Sequence, residues 1–426
     1  MIWLGVIVVV GAGLAGAPLF AVLLAGAMLG FIAADINLAI VAIEVYRIVD
    51  TPLLVALPLF TYAGYVLSES HTSERLVGLV QSTFGWLPSG LAIVGFVACA
   101  VFTALTGASG VTIVALGALL LPALKNSGFS ENFSLGLVTT SGSLGLLLVP
   151  SVPLILYGIV AQQMDVGEPF TIVELFIAGI MPVMLMLACL IGWTLWVHRG
   201  GQIPKTPFSW VKVRRAMIAA RWELPLPVVV LGGIYSGYFA ISEAAAVTAV
   251  YVTITQVLLY RDIKFKQLPA IIIDAMVMVG GILLVLGVAL AFTNFLVDAE
   301  VPQKLFEFMQ AHIQSATAFL LLLNVMLLAL GAMLDIFSAL VIMVPLILPV
   351  AVGYGVHPVH LGIIFLANMQ IGYFTPPVGM NLFVASYRFN KPLLEIYAAC
   401  WPFMVVLLIA LLLITYVPWF SLGLLQ

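Results

Sequence analysis

The stretch Gly372-Tyr-Phe-Thr-Pro-Pro-Val-Gly-Met-Asn381 lies inside a run of mostly apolar residues from Leu361 to Ala385. A Pro-Pro pair cannot continue a helix, because it lacks two amide donors and restricts the residue before it. In a bilayer, the carbonyl groups that such a break frees need partners inside the protein. A segment that is long enough to cross a membrane and is broken near its middle therefore predicts a binding site lined by backbone groups.

The composition of the whole chain places it in a membrane. Of its 426 residues 64% are hydrophobic and 8% are charged, which predicts an all-α polytopic protein in contact with the lipid bilayer. The net charge of −3 and the lack of a basic domain give no reason to expect nucleic acid. No phosphate loop of the GxxxxGK[ST] type and no catalytic motif occurs, so we expect neither ATP as the direct energy source nor an enzyme. His357 and His360 are expected in a solvated loop rather than at a metal site.

Two apolar runs, 91–124 and 315–350, are too long for one crossing and carry an internal break. The first breaks at Thr106-Gly-Ala-Ser-Gly110 and the second at Gly331-Ala-Met-Leu-Asp335. Each break leaves two arms of roughly 15 residues, less than the roughly 20 residues of a full span. The pattern therefore predicts two re-entrant helical hairpins.

An internal repeat relates these hairpins. Two broken transmembrane helices, 133–161 and 359–386, follow the two hairpins at the same distance. Glycine and proline have backbone roles that other residues replace poorly, so their coincidence in two halves is informative. A shift of 227 residues pairs Pro122 with Pro349, Gly128 with Gly355, Gly145 with Gly372 and Pro150 with Pro377.

The charges predict that the two repeats have opposite orientations. Nine of the fifteen Lys and Arg residues lie between Arg199 and Lys266, so the positive-inside rule places this part in the cytoplasm. Counting spans outward from it puts equivalent loops of the two halves on opposite faces, with about ten spans and both termini outside. We expect a first inverted repeat at 1–200, a cytoplasmic amphipathic connector at 201–222 and a second inverted repeat at 223–426. Inverted repeats of this kind are typical of alternating-access transporters.

The hairpin tips and helix breaks offer oxygen atoms for sodium and substrate. Hydroxyl, amide and freed carbonyl oxygens suit sodium without a large net charge, and each tip is expected opposite its own broken helix. The alternative is that the hydroxyls bond back to their own helices and that Asp335 only caps the helix beginning at Ile336. The predicted sodium ligands are Thr106, Gly107, Ser109, Thr140, Ser143, Gly331, Asp335, Thr375 and Pro376, and the predicted substrate contacts are Ser109, Ser141, Thr375 and Asn381.

These motifs resemble the large membrane (M) subunit of tripartite ATP-independent periplasmic (TRAP) transporters over nearly the whole chain. The most specific is Phe374-Thr-Pro-Pro-Val-Gly-Met-Asn-Leu-Phe383, supported by Thr106–Gly110, Gly142–Gly145 with Pro150-Ser-Val-Pro153, Ser242–Val247 and Gly331–Asp335. Val149-Pro150, where many relatives have Pro-Pro, and the single tip serine Ser109 depart from the family pattern. These departures bear on the ligand set of the first sodium site.

The resemblance implies a sodium-driven elevator-type symporter in a bacterial or archaeal inner membrane. It also implies two partners, a small four-helix membrane subunit (Q type) and a periplasmic substrate-binding protein (P type), and a small organic acid as substrate. The hairpins and broken helices would move as one unit, and helix N-termini at the breaks would attract a carboxylate.

One other reading of the sequence is open, and two more are disfavoured. The nearest is a sodium/carboxylate symporter of the same superfamily that works without a binding protein. A proton-pumping antiporter-like subunit would need lysines or histidines at mid-span, and an intramembrane enzyme would need a catalytic constellation that the sequence lacks.

Overall fold

The computed structural model describes residues 2–49, 51–87, 89–199 and 208–425, and all regular structure within these ranges is helical. Seven of the described helices are long and apolar enough to cross a membrane, or up to nine spans if each of two bent helix pairs counts as one. The prediction of an all-α polytopic membrane protein is thereby confirmed. The count of about ten spans stays a prediction, because length and composition do not define where the bilayer lies.

The helices follow one another in two similar series. Three helices come first: α1 (Ile2–Leu14), α2 (Leu19–Ala33) and α3 (Ala39–Val49). The first series is α4 (Ala56–Ser68), α5 (Thr72–Phe84), α6 (Gly90–Thr106), α7 (Ser109–Asn126), α8 (Glu131–Ser141), α9 (Val152–Gln163), α10 (Ile172–Ala178) and α11 (Ile180–Val197). Next are α12 (Trp210–Ala219), α13 (Pro225–Tyr235) and α14 (Ile241–Thr253). The second series is α15 (Leu268–Asp298), α16 (Val301–His312), α17 (Ala316–Met333), α18 (Ile336–Gly353), α19 (Pro358–Gly372), α20 (Met380–Phe389) and α21 (Leu393–Tyr416), followed by α22 (Trp419–Leu422).

The helix boundaries repeat at the offset that the prolines and glycines indicate. Helix α7 covers Ser109–Asn126 and α18 covers Ile336–Gly353, so both ends are 227 residues apart. Helices α8 and α19 begin at Glu131 and Pro358, again 227 residues apart. Gly128 and Gly355, both with a positive φ, lie just after the ends of α7 and α18, whereas Pro122 and Pro349 lie inside these helices.

The two broken helices run antiparallel and meet at a local twofold axis. The Ser143 hydroxyl donates to the carbonyl oxygen of Gln370 at 3.0 Å. These residues are 227 apart, and equivalent residues of two repeats can touch only near the axis that relates them. Farther along the chain, Tyr157 donates to the Pro358 carbonyl at 2.5 Å, so later residues of the first broken helix meet earlier residues of the second. This antiparallel packing is the geometry of an inverted repeat.

The hairpin arms are longer than predicted. Helix α6 has 17 residues, and α7, α17 and α18 have 18 each, instead of about 15. Each tip is only two residues long. In the first, Gly107 adopts a left-handed φ of 69° that ends α6 within one residue, and in the second, Leu334 and Asp335 are extended. The arms therefore approach the length of a span, and the re-entrant character of the hairpins depends on where their tips lie.

The connector predicted at 201–222 contains α12; residues 201–207 lie outside the described part. Helix α12 is amphipathic: Val213 is buried, whereas Lys212, Arg214 and Arg215 are exposed. The division of the chain at 1–200, 201–222 and 223–426 stays a prediction, as does the cytoplasmic position of the connector.

A buried ion-pair network attaches helix α5 to the segments around the connector. The Arg75 guanidinium bonds Glu223 at 2.6 Å, Asp262 at 2.8 Å and the Gln256 amide oxygen at 3.0 Å. It also lies 3.9 Å from the centre of the Tyr260 ring. Burial and the neighbouring Glu223 raise the pKa of Tyr260 to about 12, so its hydroxyl remains a donor to Glu223. The network joins three segments that are far apart in the sequence.

The expectation of a solvated loop for His360 is wrong. Helix α19 begins at Pro358, and His360 in its first turn is only 3% exposed because α21 and α22 cover it. Its ring nitrogens lie 2.5 Å from the Ser421 hydroxyl and 3.2 Å from the Thr415 carbonyl. His357 is partly exposed and accepts a bond from the Val359 amide at the N-terminus of α19.

Candidate transport site

The tip of the first hairpin packs against the break of the first broken helix. The Thr103 hydroxyl, one turn before the tip, bonds both the Gly142 carbonyl (2.8 Å) and the Thr112 hydroxyl (2.7 Å). Gly145 lies against the backbone of Ala100, and a side chain there would overlap with the Ala100 carbonyl oxygen. Small residues of this kind let helix backbones approach closely in membrane proteins. Break and tip are therefore in direct backbone contact.

The second tip has the same relation to the second break. The Gly379 amide donates to the Ala332 carbonyl at 2.8 Å, and the Tyr373 hydroxyl accepts the Ile336 amide at 2.8 Å. Gly331 and Gly372 also face each other: a methyl group built on Gly372 would lie 2.6 Å from the Gly331 Cα. Each tip thus lies at its own broken helix, as the sequence predicts.

Ser109 and Asn381 join the two repeats. The Ser109 hydroxyl, at the start of α7, donates to Asn381 Oδ1 at 2.8 Å, although the residues are 272 positions apart. Asn381, in the first turn of α20, is fully buried, and its amide nitrogen lies 3.4 Å from the Thr139 carbonyl. The N-termini of α7 and α20 therefore meet, so the positive ends of two helix dipoles lie close together.

Asp335 caps helix α18 and also lines a cavity. Its Oδ1 accepts the amides of Phe337 and Ser338, both at 3.0 Å, which is the capping role considered as the alternative. Its Oδ2 receives no hydrogen bond from a described residue, so one carboxylate oxygen is available to a ligand. The cavity, of about 300 Å³, lies between the start of α18 and α15, whose lining residues are Met278, Gly281, Ile282 and Val285.

Four hydroxyl groups of the predicted site residues, three among the predicted sodium ligands and that of Ser141 among the predicted substrate contacts, bond back to their own helices. The alternative considered from the sequence, in which the hydroxyls donate hydrogen bonds to their own helices, is therefore correct for these four donor bonds. A hydroxyl that donates its only proton keeps its lone pairs, so such a bond leaves it able to bind a cation. The four bonds are Thr106 to Phe102 (2.9 Å), Thr140 to Gly136 (2.8 Å), Ser141 to Leu137 (2.6 Å) and Thr375 to Ile371 (2.8 Å).

The structure does not bring all the predicted site residues together. Ser109 meets Asn381 and Gly331 meets Gly372, but Pro376 is exposed on the outer side of the second break. Among the residues described, no group of three or more His, Cys, Asp or Glu side chains could hold a metal ion. Any cation here would depend on hydroxyl, amide and carbonyl oxygens, with Asp335 as the one carboxylate. The roles assigned to these residues stay predictions.

Sequence reasoning missed two residues that fix the site. Thr103 ties the first tip to its break, and Tyr373 ties the second. Thr103 lies one turn before Thr106 in the mostly apolar helix α6, where a hydroxyl group is itself a signal. Tyr373 is part of the decisive stretch, but its partner is 37 residues away and nothing local indicates it.

Two hairpins whose tips meet two broken helices, related by an inverted repeat, define a multi-pass membrane transport protein with the fold of elevator-type transporters. Comparison with known families agrees with this class. Residues 2–420 match the family described as "Tripartite ATP-independent periplasmic transporter, DctM component". The chain belongs to this family of bacterial inner-membrane transporter permeases.

Several relatives have printed names that give a substrate. The C4-dicarboxylate TRAP transporter large permease protein DctM of Rhodobacter capsulatus is 36% identical, over 90% of this chain and 89% of the relative. The isethionate TRAP transporter permease protein DctMQ of Oleidesulfovibrio alaskensis is 33% identical, over 87% of this chain and 58% of its own length. The ectoine/5-hydroxyectoine permease UehC of Ruegeria pomeroyi is 29% identical, over 93% and 92%.

A solved structure supports the fold independently. The YdaH transporter of Alcanivorax borkumensis superimposes with a TM-score of 0.65 at 16% identity, covering 87% of this chain and 86% of that one. At this identity the likeness concerns the fold alone.

Proposed function

We propose that this chain carries out sodium-driven uptake of a small organic acid that a periplasmic substrate-binding protein delivers. A small four-helix membrane subunit would complete the scaffold. The observation that carries the proposal is that each hairpin tip packs on its own helix break, while the buried contact between Ser109 and Asn381 joins the first tip to the second break. This arrangement supports two related cation sites and one substrate pocket.

The site fits a carboxylate without a cationic side chain. No Lys or Arg lies in 103–112, 139–152, 331–338 or 372–381, which contain the tips and breaks. Helices α7, α9, α18 and α20 all begin at these tips and breaks. The positive ends of these helix dipoles favour anions, and at α18 the carboxylate of Asp335 already accepts the amides of Phe337 and Ser338. Sodium ions would balance the charge of a carboxylate substrate and of Asp335.

Sodium would supply positive charge and order at the tips. The residues that would hold it are the hydroxyl-bearing and backbone groups at each tip together with Asp335 at the second. Ordering of the tips would make the loaded protein bind substrate better than the empty one, and this difference in affinity couples the two fluxes.

The mobile unit would comprise α6 to α9 and α17 to α20. It would move against a scaffold that includes α4, α14 and α15. The cavity at Asp335, which both parts line, is where a bound solute would be exchanged.

The experiment is uptake into proteoliposomes. The solute is first chosen by a thermal-shift screen of the cognate binding protein against organic acids, beginning with C4-dicarboxylates. The acid that stabilises the binding protein is then used in labelled form. We expect uptake that needs an inward sodium gradient, the binding protein and the small subunit. Uptake driven equally by a proton gradient without sodium would overturn sodium coupling. Full uptake without the binding protein would favour the binding-protein-independent symporter instead.

A further inference from the structure

A cavity of about 430 Å³ lies between helix α5 and the connector helix α12, away from the tips. From α12 it is lined by Lys212, Arg215, Ala216 and Ala219. These positions follow the spacing i, i+3, i+4, i+7, which puts them on one face of a helix. Helix α5 contributes Gly78, Gln81 and Ser82 with the same kind of spacing. Two helix faces therefore enclose the cavity.

The cavity carries an excess of positive charge. Lys212 and Arg215 are exposed, and in the described part of the chain neither forms an ion pair. Arg75, on the same helix α5, is by contrast neutralised by Glu223 and Asp262. The two cations at the cavity are thus free to bind an anion.

Apart from the two cations, the cavity is lined by the polar Gln81, Ser82 and Ser209 and by an apolar wall with an aromatic edge. Trp86 and Phe208 meet edge to face with ring centres 6.4 Å apart, and each is about half exposed, at 49% and 50%. A methyl group built on Gly78 would meet nothing within 4 Å, so there is open space beside α5. Cations next to half-exposed aromatic rings are typical of the membrane–water interface.

We propose that this cavity binds one anionic phospholipid of the cytoplasmic leaflet. Lys212 and Arg215 hold its phosphate, Gln81 bonds the glycerol region, and the acyl chains leave over Trp86 and Phe208. Free phosphate matches the two cations but leaves the apolar wall exposed. A phospholipid therefore matches both the cationic part and the apolar part of the cavity. Once bound, it would stabilise the position of α5, the helix that leads into the first hairpin.

The test is lipid retention, measured by native mass spectrometry on the full-length chain purified from mixed phosphatidylglycerol and phosphatidylcholine. The wild type is expected to keep one phosphatidylglycerol in preference to phosphatidylcholine. The double variant Lys212→Gln/Arg215→Gln loses roughly 30-fold in that affinity, the effect expected for two interfacial cations. Arg214→Gln removes a charge from another face of α12 and retains the lipid.

A second variant tests the cavity rather than the charge. Gly78→Leu fills the open space without removing a cation, and we expect it to lower phosphatidylglycerol retention at least tenfold. Equal retention of the two lipids, or equal losses in Arg214→Gln and the double variant, would overturn the proposal in favour of diffuse attraction. Displacement of the lipid by millimolar inorganic phosphate alone would likewise overturn it and identify a phosphate site.

Discussion

Asp335 shows how one side chain can serve two purposes. Its Oδ1 accepts two amides at the start of α18, its Oδ2 receives no hydrogen bond from a described residue, and the residue lines a cavity of about 300 Å³. Capping alone needs only an oxygen acceptor, which asparagine supplies, whereas binding a cation benefits from the negative charge. The two roles can therefore be separated by substitution.

We predict that Asp335→Asn keeps the stability of the protein within about 0.5 kcal/mol, because Asn is as good a helix cap as Asp. Sodium-dependent uptake at a fixed, low sodium concentration should nevertheless fall at least tenfold, because the sodium concentration that gives half of the maximal rate should rise. Asp335→Ala should lose both uptake and about 1 kcal/mol of stability. Unchanged sodium dependence in Asp335→Asn proteoliposomes would leave Asp335 as a cap only.

The ion pairs of Arg75 should contribute to the free energy of unfolding. Replacing Arg75 by Met leaves Glu223, whose side chain is 1% exposed, as a buried charge without its cation. Breaking a buried pair from one side costs about 3 kcal/mol, so we expect a loss of that size in SDS unfolding titrations. Arg214→Met, on the exposed side of α12, is the control and should stay within about 0.5 kcal/mol. Equal effects of the two variants would show that the network adds no stability.

At the scale of helices, the sequence predicts breaks better than lengths. Pro150, Pro377 and Gly107 act locally, through a missing amide or a left-handed φ, so their effects can be read without knowing their neighbours. The arm lengths could not be read in this way, because apolar residues continue on both sides of each tip. The contacts Ser109–Asn381 and Arg75–Glu223 join residues that are 272 and 148 positions apart in the sequence. They could not be predicted, because nothing in the sequence around either residue indicates its partner.

The close contact between Gly331 and Gly372 should be needed for the position of the second hairpin tip. Gly372→Ala would place its methyl group 2.6 Å from the Gly331 backbone, where no side chain can rotate away, so the hairpin must shift. We expect a loss of at least tenfold in uptake, measured in proteoliposomes, with the protein still inserted. Gly192→Ala in α11 meets no atom within 4 Å and serves as the control, with normal uptake expected. Normal uptake by Gly372→Ala would mean that the close contact is dispensable.

At the scale of the whole molecule, the antiparallel packing of the two broken helices bears on how the transporter could move. In the proposed mechanism, the inverted repeat would give the mobile unit two related ways to meet the scaffold, one open to each side of the membrane. The structure contains a further cavity, of about 210 Å³, lined among other residues by Gln163 of α9 and Asn294 of α15. It lies between the proposed mobile unit and the scaffold, and it does not include Asp335. A cross-link across it can therefore restrain movement without filling the proposed solute cavity.

We predict that joining Gln163→Cys and Asn294→Cys with a short, reducible bifunctional maleimide abolishes uptake, because the mobile unit can then no longer pass the scaffold. The background is a chain in which Cys99, Cys189 and Cys400 are replaced. Substrate-induced thermal stabilisation should persist, and cleavage of the linker should restore uptake. The matched control joins Lys125→Cys to Glu131→Cys, where the native side chains pair at 2.9 Å within the mobile unit, and should leave uptake unchanged. If the pair at 163 and 294 also transports normally when fully linked, the unit does not move relative to α15, and the rigid-body mechanism is wrong.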